Sequence, residues 1–246
     1  MNLPDFVCVG TQKGGTTYLH GLLDKHPQVY LSRPKELHYF SLNYCKGIDW
    51  YSAFFDGANS SQICGEFTPY YLFHPLAPSR INKVLPSAKI LVLLRDPVER
   101  AVSHYFHSKR LGLEDLALPE ALAVEGKRLL NAEESLNRGH AHLSHQQHSY
   151  LSRSRYECQL IRYRKIFPEN QIKIYRSESL FLDTGKVWSD LLNWLGLDWI
   201  PCPISAEKYS GSAERKAFSS FSERSELRSM LQPTYKWLEE FYSLYW

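Results

Sequence analysis

A short apolar run near the start of the chain, followed directly by a glycine-rich turn, constrains the fold most strongly. The run, Phe6–Gly10, is apolar throughout and ends in glycine, which is typical of a buried strand. Residues 16–25 then carry apolar side chains at helical spacing. The order strand, turn, helix places backbone N–H groups and the positive end of a helix at the turn. Such a turn is suited to binding an anion.

Further apolar runs along the chain predict an alternation of strands and helices. The clearest is the central strand Lys89–Leu94, and shorter strands are predicted at Val29–Leu31, Ile63–Phe67 and residues 171–175. Strands that alternate with helices indicate an α/β fold, in which helices cover both faces of a central parallel sheet. The chain has 246 residues and no internal repeat or linker, so we expect a single domain over its whole length.

The composition disfavours several classes of protein. A formal net charge of +3 is too small for a nucleic-acid-binding surface. No apolar run approaches roughly 18 residues and the start does not resemble a secretory signal, so we expect no membrane span and a cytoplasmic location. Five cysteines without C-x-x-C spacing indicate free thiols, with Cys8 in the core. No cluster of ligand side chains predicts a metal site.

The turn at residues 10–17, with the sequence GTQKGGTT, departs from the common nucleotide-binding loop in one position. In the pattern G-x-x-x-x-G-K-[ST], Gly10, Gly15 and Thr17 fall in register, but Thr16 holds the place of the lysine. The lysine occurs three residues earlier, as Lys13. The glycines allow close approach to a phosphate, and the threonines add hydroxyl donors. The turn therefore predicts a P-loop-like anion cradle that is poorly suited to a nucleotide triphosphatase.

The segment FVCVGTQKGGTTYLHGLLDKHPQV resembles the 5′-phosphosulfate-binding segment of sulfotransferases that use 3′-phosphoadenosine 5′-phosphosulfate (PAPS). The likeness is greatest to the heparan-sulfate N- and O-sulfotransferase branch and its bacterial relatives. In that family the loop lysine contacts the 5′-phosphate and the bridging oxygen of the donor, a role that falls here to Lys13. The resemblance implies a cradle formed by Lys13, Gly14, Gly15, Thr16 and Thr17.

The segment PKELHYF, followed by KGIDWYSAFF, resembles a segment of the heparan-sulfate enzymes in which a glutamate is the general base. The resemblance assigns that role to Glu36, with His38 and His74 as rival bases. A carboxylate can take the proton of an acceptor during attack, although Glu36 beside a lysine is equally typical of a solvated surface pair. Contacts with the acceptor are also implied for Lys35 and His38. The segment GEFTPYY resembles a segment that lines the acceptor cleft in the family, which implies such contacts for Tyr70 and Tyr71, with core packing an equal alternative for the two tyrosines.

The segment KILVLLRDPVERAVSHY resembles the family's 3′-phosphate-binding segment, in which an arginine and a serine have R-x₇-S spacing. Arg95 and Ser103 match that spacing, and ligands bind at the carboxyl ends of strands in open α/β sheets. An arginine fork suits phosphate geometry. The alternative is that Arg95 and Asp96 cap the next helix and pair with Glu99 and Arg100.

Two later segments are less informative. Arg215 and Lys216 resemble, loosely, a loop that closes over the donor nucleotide, and the alternative is an exposed charged loop. The likeness is weakest over residues 112–149, which hold several histidines between residues 138 and 148. Their spacing fits no standard metal site, so we expect a loop that faces the acceptor there.

Three segments in the family's order predict a metal-independent sulfotransferase, with PAPS as the sulfuryl donor. The predicted acceptor is a hydroxyl or amine of a carbohydrate, or a small-molecule or polyketide hydroxyl. Two alternatives stay open: a P-loop-type kinase or nucleotide hydrolase, and a non-catalytic module that binds a nucleotide or a carbohydrate.

Overall fold

The computed structural model describes residues 1–203 and 221–246 of the chain. The described residues form two compact units. One comprises residues 1–94 with 162–203, and the other residues 95–161 with 221–246. The single domain expected over residues 1–246 stays a prediction.

The first unit is built on one parallel sheet. Its strands are β1 (Phe6–Gly10), β2 (Val29–Leu31), β3 (Ile63–Phe67), β4 (Lys89–Leu94) and β5 (Ile172–Arg176). They lie in the order β2-β3-β1-β4-β5, and every neighbouring pair is parallel. The predicted α/β fold with a parallel sheet flanked by helices is therefore confirmed. Four strands have their predicted bounds, and β5 is displaced by one residue along the chain.

The helices follow one another in chain order between and after the strands. They are α1 (Thr16–Leu23), α2 (Gly47–Ser52), α3 (Ala77–Val84), α4 (Pro97–Arg110), α5 (Leu118–Ala123), α6 (Glu125–Arg128), α7 (Ala132–Asn137), α8 (Leu143–Gln147), α9 (Tyr156–Arg164), α10 (Ser177–Leu182), α11 (Thr184–Leu195), α12 (Phe221–Met230) and α13 (Gln232–Tyr242). Short 3₁₀ turns occupy Tyr44–Lys46, Ala53–Phe55, Ser152–Ser154 and Glu169–Gln171. Within residues 1–203 and 221–246, no helix is long and apolar enough to cross a membrane.

The core of the first unit explains why its strands are apolar without alternation. Every residue of β1 is buried, as expected for a parallel strand with both faces covered. Leu19, Leu22 and Leu23 of α1 and Trp188 of α11 lie in the same apolar cluster as strand residues such as Cys8. The burial of Cys8 confirms its predicted place in the core. All five cysteines are free thiols.

The direction in which strands are added to the sheet reverses at β1. After β1 the chain adds β2 and β3 on one side of it, and then β4 and β5 on the other. Ligands of open α/β sheets bind outside the carboxyl ends of the strands at such a reversal. The turn that follows β1 leaves the sheet at this position. The topology therefore supports the predicted location of the anion cradle.

The second unit contains α4 and an apolar cluster of its own. Val102 and Tyr105 of α4 pack in this cluster with Leu118 and Tyr150. Arg100 is fully buried, and its guanidinium donates to Ser154 Oγ at 2.6 Å and to the backbone oxygen of Tyr150. Buried charged groups require such partners.

The histidine-rich segment differs from the predicted loop. It contains α8, whose amino terminus is capped by His142, because its Nδ1 accepts the N–H of His145 at 3.1 Å. His145 is buried. Two of the histidines therefore stabilise a short helix. The expectation of a loop there was wrong, because side-chain capping and burial are not visible in histidine spacing.

Candidate functional site

The turn between β1 and α1 has a conformation set by hydrogen bonds to its surroundings. Thr11 N donates to Leu93 O at the end of β4, at 2.8 Å, and Gly14 N donates back to Thr11 O at 3.0 Å. Lys13 and Gly15 are left-handed, with φ of 70° and 89°. For a lysine this conformation costs roughly 1–2 kcal/mol, so the turn is held in place by its contacts. The N–H groups at the start of α1 have no partner within the helix and point out of its end.

The glycines of the turn are required by the packing of the protein itself. A Cβ on Gly14 would lie 2.6 Å from Leu93 O and 2.9 Å from Thr11 Cγ2. Gly15 has a positive φ, which glycine adopts without steric cost. From the sequence, these glycines are expected to allow the close approach of a phosphate. The structure supplies a second reason, the fit of the turn against β4.

We expect Gly14→Ala to destabilise the protein by about 2 kcal/mol, because the added methyl group overlaps a backbone oxygen that cannot move freely. Gly21→Ala is the matched control, since nothing lies within 4 Å of a Cβ there. Gly21 is inside α1, so alanine should stabilise it by up to about 1 kcal/mol. Urea unfolding midpoints measure both. Equal effects of the two substitutions would contradict the packing argument.

Lys35 connects the turn to the predicted catalytic glutamate. Its Nζ donates to Thr17 Oγ1 at 3.2 Å and to Glu36 Oε1 at 3.0 Å. His38 Nε2 lies 3.7 Å from the other carboxylate oxygen, Glu36 Oε2. The Glu36 side chain is 42% exposed, so water or a ligand can reach it. Four residues predicted for the site are thus brought together, and Glu36 is tied to the start of α1.

The predicted acceptor residues Tyr70 and Tyr71 lie in the core. They are 4% and 0% exposed, which corresponds to the packing alternative. The Tyr70 ring contacts the rings of His38 and His74, with centroids 6.0 Å and 5.5 Å away. His74 is 2% exposed, its Nδ1 accepts the N–H of Leu76, and burial lowers its pKa to about 3. The rival base His74 is therefore an uncharged core residue.

Arg95 and Ser103 belong to the second unit. Arg95 follows the last residue of β4, and its guanidinium lies 3.7 Å from Glu99 Oε2. Asp96 caps α4 by accepting the N–H of Glu99 at 2.8 Å. These contacts agree with the capping alternative, except that Arg100 pairs elsewhere. Ser103 is on α4 and is 8% exposed. The binding of a 3′-phosphate by Arg95 and Ser103 stays a prediction.

Two further sequence predictions concern the donor loop and a metal site. Arg215 and Lys216 lie outside the described residues, so their role in donor binding stays a prediction. Within the described ranges, no three His, Cys, Asp or Glu side chains are grouped as a metal site requires. Glu66, a fully buried carboxylate on β3, was not among the residues predicted for the site. A charged residue inside an otherwise apolar strand was the available signal.

Comparison with known proteins assigns the family. Residues 3–230 match the sulfotransferase domain model. A sulfotransferase from Alicyclobacillus acidocaldarius superposes with a TM-score of 0.75 and 30% identity, covering 98% of this chain and 96% of that one. Mouse sulfotransferase SULT7A1 complexed with PAP has a TM-score of 0.56 at 13% identity, covering 98% and 90% of the two chains, which shows the fold alone.

A curated relative extends the likeness to the heparan-sulfate branch. The human bifunctional heparan sulfate N-deacetylase/N-sulfotransferase 2 is 32% identical over 203 residues, which is 79% of this chain. The chain spans only 22–23% of the length of such proteins from human and Caenorhabditis elegans. The match of the domain model over most of the chain and the shared fold lead to one conclusion: this chain belongs to the sulfotransferase domain family, close to its heparan-sulfate branch.

Proposed function

We propose that this protein transfers a sulfuryl group from PAPS to a hydroxyl or amine of its acceptor, with Glu36 as general base. One observation carries the proposal: Lys35 Nζ donates both to Thr17 at the start of α1 and to Glu36, at 3.2 Å and 3.0 Å. The anion cradle and an accessible carboxylate are thereby adjacent. A phosphosulfate in the cradle would lie beside a base.

The chain's own residues supply what such a transfer needs. PAPS contributes the sulfuryl group and a phosphate leaving group. Glu36 accepts the acceptor proton as the acceptor forms its bond to sulfur. The bond between sulfur and the bridging oxygen breaks, and that oxygen keeps the electron pair. Lys13 stabilises the resulting negative charge, while the N–H groups at the start of α1 hold the phosphate.

The environments of the three candidate bases support Glu36. His74 is buried, so it cannot reach an acceptor in solvent. Burial also lowers its pKa to about 3. His38 has a 21% exposed side chain and lies 3.7 Å from Glu36, close enough to orient that carboxylate. Glu36 is the most exposed of the three, and it is held by Lys35. A general base must reach the proton that it removes.

The second phosphate of the donor requires further cations. We assign it to Arg95 and Ser103, because an arginine fork matches phosphate geometry and follows the end of a strand. The Glu99 carboxylate lies 3.7 Å from the guanidinium of Arg95 and also accepts a hydrogen bond from Arg224. A bound phosphate would share the guanidinium of Arg95 with Glu99. We further assign Arg215 and Lys216 to the donor on the strength of the family resemblance.

For the acceptor we propose a carbohydrate, with a small-molecule hydroxyl as the alternative. The support is the relative from human, which by its name acts on heparan sulfate as an N-sulfotransferase. Transfer of labelled sulfate from PAPS to a panel of amino sugars, uronic-acid polysaccharides and small phenols and alcohols would separate these classes.

The donor is tested by thermal unfolding with adenosine 3′,5′-bisphosphate, adenosine 5′-monophosphate or ATP–Mg²⁺. At 100 times its Kd, a ligand that binds only the folded state stabilises it by about 2.7 kcal/mol. For a chain of this size that raises Tm by several degrees, on the order of 5–10 °C. We expect the bisphosphate to give the largest shift and the monophosphate a smaller one. Stabilisation by ATP–Mg²⁺ alone would favour a kinase or nucleotide hydrolase instead.

A further inference from the structure

The carboxylate of Glu66 lies at the centre of a buried hydrogen-bond network. Glu66 is 0% exposed. Its Oε1 accepts from Thr68 Oγ1 at 2.8 Å and from Tyr71 OH at 2.7 Å, and its Oε2 accepts from Tyr51 OH. Burial raises the pKa of Glu66, and the three hydroxyl donors oppose that rise. A buried carboxylate persists in a folded protein only when it is satisfied in this way.

These hydrogen bonds determine which way the hydroxyl groups point. Burial, together with the neighbouring Glu66 carboxylate, raises the pKa of Tyr71 well above its usual range, so Tyr71 keeps its proton. A hydroxyl has a single proton to donate. Because Thr68 and Tyr71 donate theirs to Glu66, their oxygens face outward as acceptors.

The accepting oxygens hold the backbone that follows Glu36. Thr68 Oγ1 accepts the N–H of His38 at 3.4 Å, and Tyr71 OH accepts the N–H of Phe40 at 3.1 Å. The segment is also tied at its start, where Glu36 N donates to the backbone oxygen of Phe67 at 3.0 Å. The N–H groups of Glu36, His38 and Phe40 thus all donate to β3 or to residues that follow it closely.

The held segment has a strained backbone at the proposed base. Glu36 and His38 both have positive φ, 66° and 52°. Side-chain-bearing residues adopt this conformation at a cost, and they keep it only where the surroundings enforce it. Strain of this kind marks a segment whose geometry matters more than its local stability.

We propose that Glu66 is a positioning residue for the general base. Through Thr68 and Tyr71 it fixes the backbone of residues 36–40, and so aims the Glu36 carboxylate at the acceptor. The inference rests on the proposed role of Glu36. It predicts that a change at Glu66, which is fully buried, lowers the rate of transfer without weakening the donor cradle.

The variants are chosen to change hydrogen bonding with little change in shape. In Glu66→Leu no acceptor remains at residue 66, so the hydroxyls of Thr68 and Tyr71 lose the partner that fixes the direction of their protons. Thr68→Val removes the hydroxyl that accepts from His38. Thr68→Ser keeps that hydroxyl and is the matched control. Thermal unfolding confirms that each variant is folded, and Thr68→Val tests the inference if Glu66→Leu does not fold.

Three measurements are made on the whole chain: amide hydrogen exchange of residues 36–40, PAPS turnover, and binding of adenosine 3′,5′-bisphosphate. Water serves as the acceptor for turnover until another is identified. In Glu66→Leu and Thr68→Val we expect exchange at His38 to be at least about tenfold faster, as for the loss of a hydrogen bond. We expect kcat to fall at least about tenfold, with the Kd of the bisphosphate within about twofold. Thr68→Ser should resemble the wild type in all three.

The outcomes separate the inference from the proposed function. Unchanged kcat in both variants, or faster exchange without loss of kcat, overturns the role of Glu66 while wild-type turnover upholds the proposed function. A parallel loss of bisphosphate affinity shows a general structural role and also overturns the inference. A wild-type protein that neither binds the bisphosphate nor turns over PAPS refutes the proposed function, and the inference with it.

Discussion

Lys13→Ala is expected to lower kcat by roughly 10²–10³-fold, the usual effect of removing one group that stabilises developing charge. The negative charge on the bridging oxygen of the donor grows as the bond to sulfur breaks. The ammonium group of Lys13 therefore acts mainly in the transition state, and KM for PAPS should change less than kcat. Steady-state kinetics at saturating acceptor measures both. Alanine also carries a Cβ, so the left-handed backbone of residue 13 is no more strained than before.

The matched control is Lys25→Ala, which removes the same charge from an exposed position just beyond α1. Its kinetics should equal those of the wild type. A Lys13→Ala enzyme within about twofold of the wild-type kcat would show that another group stabilises the leaving phosphate, since the expected loss is far larger.

Glu36→Gln is expected to abolish transfer, with a loss of about 10²–10⁴-fold in kcat, because the amide has the shape of the carboxylate but cannot accept a proton. Binding of adenosine 3′,5′-bisphosphate should persist, since Lys35 keeps its hydrogen bond to Thr17 and the turn after β1 is untouched. Turnover and calorimetric binding, measured on the same preparation, test the two halves of this prediction.

Glu169→Gln provides the control, because Glu169 is an exposed glutamate in a short 3₁₀ turn of the same unit. It should leave turnover unchanged. Normal activity of Glu36→Gln would transfer the role of base to His38, the other candidate with an accessible side chain. Loss of bisphosphate binding in Glu36→Gln would instead show that Glu36 supports the donor cradle.

The strands could be predicted from the sequence because their signal is local. β1 and β4 are continuous apolar runs, since both faces of a parallel strand are buried. Their bounds agreed with the pattern, whereas β5 contains Lys173 and Arg176 among its apolar residues and was predicted one residue too early. The helix in the histidine-rich segment was not predicted, because a side-chain cap and a buried ring define α8 and neither depends on local composition.

The candidate site was predicted only in part, because its hydrogen bonds join residues that are far apart in the sequence. The residue types at Lys13, Lys35 and Glu36 were visible as motifs, and the likeness to known enzymes gave them expected roles. The bridge by which Lys35 reaches Thr17 joins residues 18 positions apart, and no local pattern contains it. Tyr70 and Tyr71 lie in a segment that resembles one lining the acceptor cleft of the family, yet both are buried, because burial depends on all the elements around them.

Glu66 shows most clearly what could not be predicted from the sequence. Its two tyrosine donors are 15 and 5 positions away along the chain, and the amides that depend on it lie about 30 positions before their acceptors. In the sequence it is a single acid within a strand, and only the folded chain shows that it is surrounded by hydroxyls.

The sequence alone determined the parallel sheet, the turn after β1, and the family to which the chain belongs, because apolar periodicity and contiguous motifs are properties of neighbouring residues. The tertiary structure decided which of the candidate residues meet, why Gly14 must be glycine, and how the strained segment from Glu36 to Phe40 is held. Those properties arise from contacts between distant segments. The energies of these contacts depend on distance and burial in the folded state, which the spacing of residues along the sequence does not encode.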